Sequence, residues 1–450
     1  MDPAKLVLFI VIALICAAAS FTVSDKKGYL LFLIALFLPF RSGLIFYHYN
    51  GIILIDFPLL LLFFMSLGAN NRFRWSFPIV GTPLIAFIIW SFLSSITAIN
   101  IGWGISQWTR FFRAYLVFIV IINNITSFSR LKYFLNGFLA GFAFEALLGV
   151  YQWRYGPAGL WILEEVGFPW RASGTFIHPA MFADYLAFFL PVLLRLFAFL
   201  PQKKVTKNLF YGGWFIFGSG ALMGSYARGV WLGFLVAVFF MLSYSIVNRK
   251  LKPRVKIAFV ILSFFALVFV IHYADTISSQ FESKDRARSA EVRIPLNKLA
   301  LRMIASHPIL GVGPDNYRLA SPEYVVYDET TVGYSHFELT QIVHNSYLLL
   351  ASELGIPGLL FFLWFVTTIF VVGMKTIKSK HPLISNLTIG LLTGMGANLI
   401  EYLTGPDLSD YQITMLFASG AALIYALFRF NVALEKRLKY EKIKLMQSKK

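Results

Sequence analysis

The chain has 450 residues, of which 58% are hydrophobic, 17% aromatic and only 14% charged, and its formal net charge is +18 at pH 7. Soluble globular proteins are about half apolar and about a quarter charged, so this composition excludes an ordinary soluble enzyme. Apolar residues gather in runs near the roughly 20 needed to cross a bilayer, which predicts an all-α polytopic membrane protein.

About thirteen apolar blocks follow one another, which predicts 12 to 13 transmembrane helices. The first three blocks are the least distinct, because the block at 28–40 is short for a span and Arg41 follows it. The blocks lie at about residues 5–23, 28–40, 51–69, 78–98, 110–124, 132–152, 180–200, 209–224, 228–247, 257–273, 345–374, 383–403 and 411–428.

Basic connections alternate along the chain with connections that are almost free of Lys and Arg. Examples of the basic class are 203–207, 249–256, 375–380 and the tail after Arg429. By the positive-inside rule these segments face the cytoplasm. Most of the +18 therefore sets membrane orientation, and no nucleic-acid partner is expected, since that would need basic residues gathered on one water-facing surface.

The same pattern divides the chain into four parts. We expect an N-terminal transmembrane bundle at 1–273, a large outer loop at 274–343, C-terminal transmembrane helices at 344–428 and a basic cytoplasmic tail at 429–450. The large loop carries charges of both signs with aromatic residues and Pro-Gly turns, so we expect it to be ordered and partly helical. A loop of this kind predicts function on the outer face.

Two segments on the outer side carry arginines against the charge pattern, and ionisable groups near a bilayer are costly enough to mark functional sites. Arg228 lies in a tight turn between two spans, while Arg171 and His178 flank a segment that leads into a span bearing Asp184. The alternatives are an interfacial arginine that snorkels to water, and a turn that caps the following helix.

Arg110 and Arg113 also fall at the outer end of a span. Their i, i+3 spacing places them on one helix face. They are further substrate-binding candidates.

Within the large loop, apolar residues recur at helical spacing after Arg293 and Pro295, which predicts an amphipathic helix that ends at His307. Arg293 stands at the start of this helix, where free N–H groups favour anions, so it is a candidate phosphate clamp. A surface salt bridge to Glu291 is the alternative.

His344 and Asn345 lie where the large loop returns to the membrane. The following Gly355 and Pro357 predict a short helix, a break and then the span proper. Glu353 is nine residues after His344, so on a straight helix the two side chains would project on opposite faces. Glu353 is then expected to orient another partner, and a lone histidine at this boundary could also be purely structural.

These residue types suit one chemistry. Arginines bind phosphate through two parallel N–H bonds, and histidine near neutral pH can take a proton from a hydroxyl. Together they predict transfer from a lipid-linked phosphate donor to a hydroxyl, without a cofactor. The histidines lack zinc-ligand spacing, so we expect no metal site.

The four segments around Arg171, Arg228, Arg293 and His344 resemble, in this order, the O-antigen ligase and polymerase superfamily over roughly residues 110–430. The resemblance implies a GT-C-like, metal-independent glycosyltransferase of the bacterial inner membrane. Such enzymes move a glycan from undecaprenyl pyrophosphate to lipid A-core or to another glycan at the periplasmic face. On this basis Arg228 and Arg293 would bind the donor pyrophosphate, and His344 would activate or orient the acceptor hydroxyl. The predicted substrate-binding residues are Arg171, His178, Arg110, Arg113, Asn345 and Glu353.

Other functions remain open at this stage. Ligase and polymerase differ in acceptor, and the shared motifs favour the ligase only slightly. A polysaccharide transporter would also be polytopic, but its ionisable groups are expected near the bilayer midplane rather than at the outer boundary. The resemblance also implies twelve spans with a cytoplasmic N-terminus, whereas thirteen would place the N-terminus outside.

Overall fold

The computed structural model describes residues 3–41, 43–47, 50–67, 75–159, 171–198, 205–248, 291–328 and 331–448. These residues are helical apart from one antiparallel hairpin and the connecting loops. The predicted span at 257–273 lies outside the described residues.

The helices follow the apolar blocks closely. The first group is α1 (Pro3–Thr22), α2 (Lys26–Phe37), α3 (Asp56–Leu67), α4 (Thr82–Ser94), α5 (Ile101–Asn124), α6 (Phe128–Tyr155), α7 (Pro179–Ala198), α8 (Val205–Gly224) and α9 (Arg228–Asn248). The second group is α10 (Arg293–Ser306), α11 (Tyr317–Ala320), α12 (His336–Leu339), α13 (Ser346–Thr376), α14 (Pro382–Glu401) and α15 (Tyr411–Gln447). Short 3-10 turns lie at Ile79–Gly81, Ser95–Thr97, Ser321–Tyr324 and Asp407–Ser409, and the hairpin is β1 (Gly43–Tyr47) with β2 (Asn50–Ile53).

Eight helices among the described residues are long and apolar enough to cross a membrane, and Asp56–Leu67 and Leu209–Gly224 are shorter apolar helices. Large apolar side chains point outward from them, for example Leu235 at 62% and Phe239 at 65% exposed on α9. Such a surface is stable against lipid and unfavourable against water. The all-α polytopic fold is therefore confirmed, while the number of 12 to 13 spans stays a prediction.

Two features differ from the sequence expectation. The hairpin between α2 and α3 was not predicted, because its few residues merge with apolar blocks on both sides. The sequence analysis also did not predict that helix α15 continues to Gln447, so that the basic residues at 436–444 lie on a helix.

Helices α7 and α14 approach closely because α14 presents glycines to its neighbour. A Cβ added at Gly394 would lie far under 3.0 Å from the Phe188 carbonyl oxygen, and one at Gly390 would lie 2.7 Å from Cα of Val192. This i, i+4 glycine pair is the small-residue arrangement that lets membrane helices pack backbone against backbone. Gly396, on the same helix, faces open space.

Helices α7 and α14 are also joined to each other and to α9, at the end opposite to the predicted outer side. The guanidinium of Arg195 on α7 is fully buried and donates hydrogen bonds to Ser245 Oγ on α9 at 2.7 Å and to Asn386 Oδ1 on α14 at 2.8 Å. An Arg buried among apolar helices needs such acceptors to offset its loss of hydration. Helices α7, α9 and α14 therefore form one fixed unit.

The break predicted in the span after His344 is confirmed. Gly355 has φ +70°, a value that only glycine adopts without strain, and Pro357 follows it inside α13. A Cβ at Gly355 would collide with the Ile309 carbonyl. The predicted loop helix is also present as α10 and ends before His307, with its apolar face buried.

Replacing Gly394 with Ala should lower the melting temperature of the purified protein, because α14 must move away from α7 to accommodate the methyl group. The matched variant Gly396→Ala adds the same methyl group where nothing opposes it, and should melt at or slightly above the wild-type temperature. Thermal unfolding in detergent measures both. Equal effects of the two substitutions would contradict the proposed close contact.

Candidate functional site

Several helix ends meet at one end of the bundle, and they carry most of the predicted site residues. Arg228 is the first residue of α9, His178 directly precedes α7, and His344 lies two residues before α13. Arg293 begins the loop helix α10 and faces the same region, since its charge acts on His344. Residues that are far apart in sequence thus share one small volume.

The segment that begins at Arg171 is bonded to the turn that precedes Arg228. The Arg171 Nε donates to the Ser225 carbonyl oxygen at 2.8 Å, and the Ala172 amide donates to the Gly224 carbonyl at 2.9 Å. Tyr226 holds this turn in a positive φ of 52°. Two of the sequence motifs are therefore parts of one structure.

Two polar residues of α6, Gln152 and Glu145, form hydrogen bonds with the segment that follows Arg171. Gln152 Oε1 accepts the amides of Ser173 at 3.0 Å and Gly174 at 2.7 Å, and its Nε2 donates to the Gly174 carbonyl at 2.9 Å. The Thr175 amide donates to Glu145 Oε2 at 3.0 Å. Since these polar groups are all buried, the backbone here has little freedom to move.

His178 and His344 are neighbours, and both are held neutral. Burial, the Arg171 charge and then His344 lower the pKa of His178 to about 4. Its Nδ1 accepts the Ala180 amide at 3.1 Å, so the neutral ring carries its proton on Nε2. This bond caps α7, as the sequence alternative suggested.

The pKa of His344 is also lowered, first by burial and then by the Arg293 charge, while the Ile342 carbonyl opposes the shift. Its Nδ1 is buried without a hydrogen-bonding partner. A neutral imidazole of this kind can accept a proton at neutral pH.

Arg293 lies beside a second guanidinium. Burial and the nearby Arg228 charge lower the pKa of Arg293, and Glu401 raises it. The Nε of Arg293 is buried and has no hydrogen-bonding partner. Two adjacent guanidiniums, one with an unused donor, form an arrangement that an anion stabilises. We call Arg171, Arg228, Arg293, His178 and His344 together the arginine–histidine cluster.

A second group of side chains lies behind the arginines, and the sequence analysis did not identify it. Asp184 on α7, Glu401 at the end of α14 and Asp407 in the following turn are all buried, and one oxygen of each lies within 4.8 Å of the others. We call these residues the acidic cluster. Glu401 also neighbours Arg293, so the two clusters share one site.

The acidic cluster is deeply enclosed. Burial raises the pKa of Asp407 to about 7, and the nearby Asp410 charge contributes. Burial and the neighbouring carboxyls raise the pKa of Tyr402 well above its ordinary value. Asp184 and Glu401 each interrupt an apolar block. Because an ionisable group in a membrane is costly, both could have been predicted from the sequence as candidate site residues.

The start of α13 is attached to the turn that carries Asp407. The Ser346 amide donates to the Tyr402 carbonyl at 2.8 Å, and the Ser346 hydroxyl donates to the Gly405 carbonyl at 2.7 Å. These bonds fix His344 relative to the acidic cluster. The Asn345 Oδ1 accepts the amides of Tyr347 and Leu348, each at 3.0 Å, so this oxygen caps α13.

Arg110 and Glu353 do not belong to the arginine–histidine cluster, and both bind the turn that follows α10. Arg110 forms a salt bridge with Asp315 in the turn after α10, and the Tyr317 amide donates to Glu353 Oε1 at 3.3 Å in the same turn. Glu353 does orient a partner other than His344, as its position on α13 suggested. Both residues fasten the loop to the bundle.

Arg113 is also separated from His344. Its Nε lies 2.9 Å from Asp56 Oδ1, and it donates to the Gly51 carbonyl at 2.7 Å. Arg113 and Asp56 line a cavity of about 580 Å³ between α1, α3 and α5. None of the cavity-lining residues belongs to the arginine–histidine cluster.

Residues 213–363 match the family model of the O-antigen ligases. Over these 151 of the 450 residues, the chain is similar to the O-antigen ligases. The matched segment begins within α8, contains Arg228, Arg293 and His344, and ends within α13. This match confirms the resemblance to the O-antigen ligase superfamily and supports an O-antigen ligase- or polymerase-type activity on lipid-linked glycans in a multi-pass membrane protein. A search of curated proteins finds no match.

Replacing Arg110 with Met should destabilise the protein, because Asp315 would lose the guanidinium with which it forms a mostly buried pair. Asp315→Asn should lower the melting temperature by a similar amount, and the double variant should lose less than the sum of the two. Thermal unfolding of the four proteins measures this coupling. Additive losses would mean that the two side chains act independently.

Proposed function

We propose that the protein is an O-antigen ligase-like glycosyltransferase. It would take a glycan from undecaprenyl pyrophosphate and transfer it to a hydroxyl of lipid A-core at the periplasmic face of the bacterial inner membrane. The polymerase reaction, in which the acceptor is a second lipid-linked glycan, is the alternative that the family match equally supports.

One observation carries the proposal. The buried Nε of Arg293 has no hydrogen-bonding partner, although Arg228 lies beside it and His344 presents a buried, unpartnered Nδ1. Unsatisfied buried donors are rare, and at a functional site they indicate a missing ligand. A pyrophosphate would satisfy Arg293 and neutralise the repulsion between the two guanidiniums.

The chemistry follows from this arrangement. The acceptor oxygen attacks the anomeric carbon, and the bond from that carbon to the phosphate oxygen breaks, so that undecaprenyl pyrophosphate leaves with both electrons. Arg228 and Arg293 would stabilise the charge that develops on the departing pyrophosphate. Neutral His344 would accept the proton of the acceptor hydroxyl, or would orient that hydroxyl by a hydrogen bond.

His178 and Arg171 complete the proposed site from the opposite side. Arg171 is tied to the turn before Arg228, so it would support the donor-binding arginines as well as add positive charge. The Nε2–H of neutral His178 would be a donor to a sugar hydroxyl or a phosphate oxygen.

The position of these residues also favours an enzyme over a transporter. The arginine–histidine cluster lies at helix ends and not in the middle of broken helices, where transporter sites are built. The break that α13 does contain, at Gly355, contacts the loop after α10. Chemistry on a membrane-anchored donor needs a site at this boundary.

Reconstituted wild-type protein supplied with undecaprenyl-pyrophosphate glycan, lipid A-core and excess lipid-linked repeat should produce lipid A that carries the glycan. Arg228→Ala, Arg293→Ala and His344→Ala should each abolish transfer, and Arg293→Lys should also be impaired, since an ammonium cannot form two parallel bonds. Product analysis by gel and mass spectrometry gives both rate and acceptor.

Arg302→Ala is the matched control for Arg293→Ala. Arg302 lies on the same helix but pairs with Asp328 at 3.7 Å and is about one third exposed, so transfer should be retained. Near-normal activity of all three alanine variants would contradict the mechanism. Longer lipid-linked chains without modified lipid A would support the polymerase in place of the ligase.

The rate of transfer should fall on the acidic side with a midpoint below pH 6.5. The reason is that burial and the Arg293 charge hold the pKa of His344 below 6.5, so the neutral form that accepts a proton persists to lower pH. The dependence of kcat/KM on pH measures this limb. A midpoint above 6.5 would mean that another group controls the acidic limb.

A further inference from the structure

We propose that the acidic cluster of Asp184, Glu401 and Asp407 binds a hard divalent cation. One oxygen of each carboxyl lies within 4.8 Å of the others, and the three side chains are 0%, 3% and 2% exposed. The residues come from α7, from the last position of α14 and from the turn that follows it. The sequence analysis expected no metal, both from histidine spacing and from the family resemblance, and it did not consider these carboxyls as ligands.

Buried carboxyl oxygens converge on this cluster and face mainly one another. Both carboxylate oxygens of Asp184, Oε2 of Glu401 and Oδ2 of Asp407 are buried and accept no bond from an N–H group or a hydroxyl, while Asp184 lies within hydrogen-bonding reach of Glu401 and Asp407. The Tyr402 hydroxyl is an independent member, since it is fully buried, has no partner and is close enough for all three carboxyls to act on it. Buried oxygens in this state are expected to hold an ion or protons.

The backbone leaves room for the carboxyls to close on an ion. Gly405 has no side chain, and a Cβ there would lie far under 3.0 Å from Glu401 Oε1 and 3.2 Å from Asp407 Oδ2. The Ser346 hydroxyl holds the Gly405 carbonyl at 2.7 Å, so the open position is fixed. This rigid, oxygen-lined turn suits a cation.

The donor set limits the kind of cation. The cluster contains carboxyl and phenol oxygens but no sulfur or imidazole ligand, which favours Mg²⁺, Mn²⁺ or Ca²⁺ over zinc or copper. Three carboxyls meet here within a buried volume, and the Arg293 guanidinium that acts on Glu401 carries a single positive charge. A divalent cation would neutralise most of this excess in a place where unpaired charge is costly.

The cation would also serve donor binding, a step that rests on the proposed function. With the carboxyls uncompensated, Glu401 attracts Arg293 and the cluster repels a pyrophosphate. With a divalent cation bound, Glu401 would attract Arg293 less strongly, and Arg293 could bind the donor. The acidic cluster would then act as a support for the arginines and not as a group that touches the sugar.

The proposal is tested by Mn²⁺ binding to purified, EDTA-treated protein in detergent, without any glycan. Loss of the free Mn²⁺ signal in electron paramagnetic resonance should show one saturable site per chain, and Mn²⁺ should raise the melting temperature. Asp184→Asn and Asp407→Asn should weaken binding at least about tenfold. Asp328→Asn, which removes a partly exposed loop carboxylate paired with Arg302, should bind as the wild type does.

Folding of the variants is checked in the same samples. Because each substitution removes like-charge repulsion, Asp184→Asn and Asp407→Asn without metal should melt at or above the metal-free wild-type temperature. Absence of a saturable Mn²⁺ site, or equal binding by Asp184→Asn, would overturn the proposal. So would a melting temperature that rises at low pH and is insensitive to any cation, since protons would then neutralise the cluster.

Failure of this inference can be told apart from failure of the proposed function. Arg228→Ala should lose glycan transfer yet bind Mn²⁺, because Arg228 is not a ligand. Retained binding with unimpaired transfer in Arg228→Ala would contradict the transfer mechanism alone. Absent binding in a wild-type protein that transfers glycan would contradict the cation site alone.

Discussion

The repulsion between Arg228 and Arg293 is the constraint on which the site depends. Arg228 lowers the pKa of Arg293, so the two guanidiniums would move apart unless the fold held them. Here the N-terminus of α9 fixes one and the loop helix α10 fixes the other. The anion that we propose to bind between them would relieve this repulsion, and the site would then favour a charged donor over water.

The remainder of the fold explains how such a contact is held. The glycines of α14 bring it against α7, and buried Arg195 joins both helices to α9 at the far end. Gln152 fixes the segment that Arg171 begins, and Ser346 fixes the start of α13. The site is therefore built on helix ends whose positions are set by backbone contacts, and not on free loops.

Much of this could be predicted from the sequence, and the rest could not, for a physical reason. The length of the apolar blocks predicted most helices, the Gly355–Pro357 pair predicted the break in α13, and the apolar spacing after Arg293 predicted α10. Each of these features depends on residues close together in the sequence. The partners of the charged side chains could not be predicted in this way. Arg110 and Arg293 both seemed to be outer arginines, but Asp315, far along the chain, neutralises the first while Arg228 opposes the second. The acidic cluster was missed because Asp184 lies 217 residues before Glu401 and meets Glu401 and Asp407 only through the packing of α7 on α14.

The double attachment of α14 has a consequence for distant positions. Its 20 residues span about 30 Å at 1.5 Å per residue, with Asn386 near one end bound to Arg195 and Glu401 at the other end beside Arg293. A rod held in this way transmits a sliding displacement along its axis with little loss, since its hydrogen-bonded backbone resists compression. Substitutions around Asn386, at the end of α14 far from the arginines, could therefore change the spacing of the carboxyls and the response to substrate while leaving every residue of the proposed site intact.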